Sequence, residues 1–195
     1  MTNDVLLIFL NDSTEQTKLC QSLGEEKAQE INKRLQIAVC SAAKSITCNK
    51  VVLTNEESVL NNIWDKNIFN SEVQTGKYLN NKMQNAFDKH IIQNSEDVYK
   101  VVFISADCPQ LTQQIIENAF DSLNKYDVCI GPEKKGNYYL IGMKEPLPFL
   151  FENKLWSGKH LLDDTLEELI DQGKKYFLLP ELQSVNDIYD LHLVK

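Results

Sequence analysis

An α/β sandwich carrying one mostly parallel sheet is the fold class that this sequence predicts, and three observations predict it. Apolar runs of strand length alternate with segments of helical period from end to end. The run over Tyr99, Val101, Val102, Phe103 and Ile104 is hydrophobic at almost every position, as in a parallel strand covered on both faces. The segments between such runs are long enough to cross over between parallel strands. The 195 residues read as a single domain, 1–195, which at this size buries roughly 70% of the surface of its unfolded chain.

Each element follows from its own pattern. Residues 5–10 form a first buried strand. Residues 24–46 carry Ala28, Ile31, Leu35, Ala38, Val39, Ala42 and Ile46 at helical spacing. A short strand over 51–54 precedes a helix over 79–91 with Leu79, Met83, Ala86, Phe87 and His90 on one face. After the strand ending near Ile104, Thr112 caps a helix that turns Ile115, Ile116, Ala119, Phe120 and Leu123 inward. Strands over 127–131 and 138–143 follow. Between them GPEKKGN reads as a broad functional loop or a local antiparallel edge. A helix over 160–170, a strand over 175–179 and a short helix over 187–193 complete the chain.

Composition excludes several classes of function. A net charge of −8 with no Lys/Arg cluster longer than a pair argues against nucleic-acid binding, which asks for a basic stripe. Any anionic ligand is then held locally, by a cation or a helix amino terminus. The five cysteines are odd in number, scattered and without a CxxC pair, which suits reduced thiols and a cytoplasmic location. The segment MTNDVLLIFLND reads as a first strand rather than a signal peptide, and no run approaches the length of a membrane span. The exposed faces show no interface stripe, so the oligomeric state stays open.

The most informative stretch is VYKVVFISADCPQLT, where a buried strand stops at Asp107, Cys108 and Pro109. The carboxyl edge of an open α/β sheet is where ligands bind. Pro109 removes a backbone donor and biases Cys108 to extended geometry, so the strand ends there and the carboxylate has a set exit direction. Asp107 thus reads either as a site carboxylate or as a cap of the following helix. Cys108 lacks a basic neighbour that would activate it and reads as a small buried filler. His90, His160 and His192 read as core or surface residues rather than catalysts.

Five blocks in this order, QTGKYLNNKMQNAF, ISADCPQLT, GPEKKGNYYLIG, LWSGKHLLDDTLEEL and LLPELQSVNDIYDL, resemble a bacterial group of uncharacterised glycosyltransferase-like proteins. That group lies in the nucleotide-diphospho-sugar transferase superfamily, with a GT-A fold, and the resemblance spans nearly the whole chain. It implies a nucleotide or nucleotide-sugar partner bound across the strand ends and a divalent metal, Mg or Mn, which shields the diphosphate. Asp107 aligns with the metal carboxylate of the superfamily, and Asn186 stands where the group has a second Asp. Asn186 and Asp187 read equally as a cap for the terminal helix.

The resemblance also implies nucleotide or phosphate contacts for Thr17, Lys18 and Lys82. It implies donor or acceptor contacts for Gly136, Asn137, Tyr138, Trp156 and Ser157, and a catalytic role for Asp107 and Lys135. The departures fall on polar residues. Lys135 replaces an Asp, Asn137 a Gly, Ser184 another Asp, and Lys82 an Arg. Tyr78 stands at an Asp position and Asn80 at a Gly position. The first loop is shortened and keeps one cation, Lys18, without the two-pronged geometry of arginine. Three functions are therefore in play: a metal-dependent glycosyltransferase-like enzyme, a non-catalytic binding or assembly module on the same scaffold, and a nucleotidyltransferase.

Overall fold

The structure is a computed structural model, and residues 3–10, 17–55, 62–92, 100–152, 154 and 159–194 are described. The strands are β1 (Val5–Phe9), β2 (Asn49–Thr54), β3 (Asn70–Val73), β4 (Val101–Ser105), β5 (Val128–Pro132), β6 (Tyr138–Met143) and β7 (Tyr176–Leu178). The helices are α1 (Lys18–Leu23), α2 (Glu25–Ala43), α3 (Leu79–Ile92), α4 (Gln113–Ser122) and α5 (Leu161–Asp171). Two short 3-10 helices follow β6 and β7, at Pro148–Leu150 and Ile188–Leu193.

All seven strands join one sheet in the order β3-β2-β1-β4-β6-β5-β7. Pairing is parallel except at β6, which runs antiparallel to both β4 and β5. The expected antiparallel edge is thus an interior strand. The five-residue link Glu133–Asn137 is too short for a crossover, so β6 must run back beside β5. It then fills the place next to β4.

Alternation along the strands builds two cores. Leu6, Ile8, Val52, Val102, Ile104 and Leu140 pack under Val39 and Ala43 of α2 and Ile116 and Phe120 of α4. Leu7, Phe9, Val51, Phe103, Ile130 and Ile141 pack under Met83 and Phe87 of α3 and Leu169 of α5. Both layers are buried, which is why the strands read as near-continuous apolar runs. At roughly 25 cal/mol per Å² of apolar area removed from water, this double burial is the main favourable term of the fold.

Three elements escaped the sequence pattern: the 3-10 turn Pro148–Leu150, β3 and α1. The edge strand β3 is mostly exposed and polar (NSEV), so no period-2 signal marks it. Its Glu72 is 2.7 Å from Lys89 Nζ and 3.2 Å from His90 Nε2 of α3, which ties the edge to its helix. The six-residue α1 is held by the Thr17 cap and ends at Gly24. Tyr99 lies outside the described residues.

Candidate functional site

At the carboxyl edge of the sheet two polar clusters stand on either side of the end of β1. The first gathers the ends of β4 and β5 with the segment after β7. The capping alternative for Asp107 does not apply, because Thr112 caps α4 through its hydroxyl and Ile115 N. Instead the Asp107 carbonyl accepts a 2.9 Å bond from Val185 N, which draws the closing segment onto the strand end. Cys108 is fully buried, and burial together with Asp107 and Glu133 pushes its thiol up to about 12. It is a filler, as its sequence context indicates.

Glu133 follows β5 as Asp107 follows β4, and only 7% of it is exposed. Its Oε1 accepts a 2.6 Å hydrogen bond from the buried Ser184 hydroxyl. Burial, then the neighbouring negative charge of Asp107 and Asp190, outweigh Ser184 and Lys135 and push Glu133 up to about 7.

Lys135 reaches across to the closing helix, with Nζ 2.8 Å from Asp190 Oδ2, 3.0 Å from Asp190 Oδ1 and 3.3 Å from Asp187 Oδ2. These carboxylates outweigh burial and hold its ammonium above the ordinary lysine range. Asp190 also accepts from Gln183 Nε2 at 2.7 Å, Asn186 N at 3.0 Å and Asp187 N at 3.2 Å. Burial alone would raise Asp190, but these donors and Lys135 hold it at about 2. Asp187 caps the terminal helix through Tyr189 N and forms a capping box with Asp190, so the capping reading of Asp187 is the one realised.

The second cluster lies at the ends of β1 and β2. Gln74 donates from Nε2 to Leu10 O at 3.0 Å and Leu53 O at 2.9 Å, and its Oε1 accepts from Lys82 Nζ at 3.0 Å. Asn55 Oδ1 accepts from the same ammonium at 3.2 Å, which stands 6.0 Å from the centre of the Phe9 ring. Gly76, at φ +131°, lets this loop close on α3, since a side chain there would meet Lys82 N at 2.8 Å. Lys82 thus has amide oxygens and no carboxylate as partners among the described residues.

The remaining predicted residues separate. Thr17 caps α1 through Cys20 N at 3.2 Å, and Lys18 beside it is exposed. Buried Leu19 and Cys20 pack with Val185, so this helix lies against the closing segment. Gly136, at φ +84°, is pressed on the Lys159 carbonyl, where any side chain would collide, and its own carbonyl accepts from Leu162 N at 2.9 Å. Asn137 closes the turn by accepting from Glu133 N at 2.9 Å. Tyr138 turns its phenol towards Thr165 and Glu168 of α5, where burial pushes it well above the usual tyrosine range. The same pocket holds Lys154, 2.6 Å from Glu168 Oε2 and 3.1 Å from Thr165 Oγ1. Asn186 is exposed. Trp156 and Ser157 lie outside the described residues.

The oxygen donors at this edge suit a hard cation. Asp107 would hold it, with the Asn186 carbonyl assisting. Among the described residues no three His, Cys, Asp or Glu side chains converge as a ligand set. Few protein ligands, completed by water and phosphate, is the manner of magnesium.

Sequence reasoning passed over Glu133, Asp190, Asn55 and Gln74. Glu133 had one local signal, its place directly after an apolar strand and a Pro, which repeats the setting of Asp107 with the order of Pro and acid reversed.

The comparisons agree with this architecture. A provisionally named nucleotide-diphospho-sugar transferase from Desulfovibrio desulfuricans G20 is similar over 99% of this chain and 86% of its own, with a TM-score of 0.84 at 20% identity. The 4-diphosphocytidyl-2C-methyl-D-erythritol synthase of Anaerococcus prevotii DSM 20548 is similar over 99% of this chain and 94% of its own, with a TM-score of 0.61 at 11% identity. These establish a nucleotide-diphospho-sugar transferase-like α/β fold. Among curated proteins, the 2-phospho-L-lactate guanylyltransferase of Methanocaldococcus vulcanius (strain ATCC 700851 / DSM 12094 / M7) is 28% identical over 130 residues. That match covers 66% of this chain and 55%, about half, of the relative's length. Residues 27–158 match the family described as uncharacterized protein conserved in bacteria (DUF2064), and the chain belongs to that family.

Proposed function

We propose that this protein is a nucleotidyltransferase which binds a nucleoside triphosphate across the end of β1 and passes its nucleotidyl group to an anionic acceptor. The observation that carries the reading is the pairing of opposite charges there. Lys82 presents an ammonium with no carboxylate partner among the described residues, and Asp107 follows the end of β4, on the other side of β1. A polyphosphate meets Lys82 directly and meets Asp107 through a cation. The curated relative, a guanylyltransferase, supports nucleotidyl over glycosyl transfer.

In such a reaction an acceptor oxygen attacks the α-phosphorus, the bond from that phosphorus to the bridging oxygen breaks, and pyrophosphate departs with the electron pair. A divalent metal held by Asp107 and Asn186 would neutralise charge on the leaving group. The chain's own part is positioning: Lys82 fixes one phosphate, and the docked closing segment fixes Asp107.

The test is thermal shift with GTP, CTP, GDP and nucleotide sugars, with and without magnesium or manganese, beside an assay of pyrophosphate release. A triphosphate should stabilise most, the shift should grow with metal, and Asp107→Asn should remove that metal-dependent part. Stabilisation by nucleotide sugars alone would return the glycosyltransferase reading. One observation favours a non-catalytic module: Lys135 seals Asp187 and Asp190, so the closing segment offers no free carboxylate from that pair. Nucleotide binding with no pyrophosphate release from any acceptor would support it.

A further inference from the structure

Lys82 is held in an unusual way for a part-buried cation. Its ammonium bonds to Asn55 Oδ1 at 3.2 Å and Gln74 Oε1 at 3.0 Å. Both acceptors are neutral, although the chain has 28 Asp and Glu against 20 Lys and Arg, so an acidic partner would be easy to supply. Gln74 is itself immobilised, because both of its amide donor bonds end on backbone carbonyls at the sheet edge, Leu10 just after β1 and Leu53 near the end of β2. The ammonium is therefore fixed relative to the sheet, with no carboxylate partner among the described residues.

We infer that Asn55 and Gln74 are positioning residues which hold the Lys82 ammonium by neutral oxygens so that its charge is reserved for a phosphate of the bound nucleotide. The inference rests on the nucleotide-binding reading above. A carboxylate at either position would fix the lysine as well but would compete with the ligand. A positive charge in place before binding also avoids the ordering cost of recruiting a free lysine.

Asn55→Asp separates the role from simple structural support. The change is isosteric, and it converts an amide contact into an ion pair with Lys82, so it should leave the melting temperature equal or higher. Binding of GTP and of inorganic pyrophosphate, measured by calorimetric titration of the full chain, should fall at least about tenfold, the scale of one charge-assisted hydrogen bond. The dependence of affinity on salt should flatten. Lys82→Met should reproduce the loss, Lys82→Arg should largely restore binding, and guanosine should be unaffected throughout.

If Asn55→Asp binds both phosphates like the wild type while Lys82→Met does not, the neutral cradle is overturned and Lys82 survives as the anchor. If Lys82→Met also binds both normally, the cradle and the phosphate anchor fall together. If guanosine binding drops with the others, the cluster meets the nucleoside, and the phosphate assignment is overturned. Should wild type bind pyrophosphate but not GTP, the nucleotide reading fails while the cradle is still tested by pyrophosphate. A wild type that binds neither overturns both.

Discussion

Ser184 Oγ donates to Glu133 Oε1 at 2.6 Å, with Ser184 1% and Glu133 7% exposed. This bond ties the end of β5 to the segment after β7, and it does so in a place short of water. The Leu182 N to Pro132 O bond and the Val185 N to Asp107 O bond continue the seam on both sides. A buried carboxylate with acidic neighbours is most stable carrying a proton.

The sign of the pH effect follows from that. Glu133 is raised from 4.5 to about 7 in the folded state, so between those values the folded protein binds a proton that the unfolded chain has released. Stability from this group is full below the unfolded value and is lost as pH rises towards the folded value. Glu133→Gln keeps the acceptor for Ser184 and removes the titration. Its stability relative to wild type should rise between pH 5 and pH 8, by on the order of 2 kcal/mol, read from urea midpoints at each pH.

Lys135 should matter more for the closing helix than its exposed position suggests. Its ammonium is 2.8 Å from the buried Asp190, which would lose its only cationic partner among the described residues. Lys135→Met should cost about 1 to 2 kcal/mol and raise hydrogen exchange at the amides of Asn186 and Asp187. Unchanged exchange there would show that the backbone donors to Asp190 suffice.

Gly136 and Gly173 both have positive φ, but only Gly136 faces a neighbour that a side chain would strike. Ala at 173 should cost about 1 kcal/mol for backbone strain alone. Ala at 136 should cost that and more, about 3 kcal/mol in total, and loosen the turn that carries Glu133 and Lys135. Melting curves of the two variants make the comparison.

Cysteine labelling offers a simpler check. Cys108 and Cys129 are buried and pushed up to about 12, in each case chiefly by burial. At pH 8 neither should react with a thiol reagent until the protein unfolds, whereupon all five cysteines become titratable. Rapid labelling of Cys108 in the folded state would overturn its reading as a buried filler.

Much of the fold was legible in the chain because it depends on local pattern. Buried strands such as β1 and β4 declare themselves by unbroken apolar runs, α4 by its Thr112 cap and period, and Asp107 by its place where such a run stops. The interior place of β6 was not legible, since antiparallel return is local but neighbour choice within the sheet is global. Nor was β3, whose polar residues are tied in by pairing with β2 and by Glu72.

The same division runs through the candidate site. Sequence by itself determined that an acidic residue stands at the lip of a mostly parallel sheet, and the family resemblance implies nucleotide chemistry there. Tertiary structure alone decided that Glu133 meets Ser184, that Lys135 is neutralised by Asp187 and Asp190, and that Lys82 rests on Asn55 and Gln74. Most of these partners lie tens of residues apart, 51 for Glu133 and Ser184 and 27 for Lys82 and Asn55. No short-range period encodes such meetings. They arise when packing of two apolar layers brings loop ends together at one edge, where burial and charge then set what each group can do.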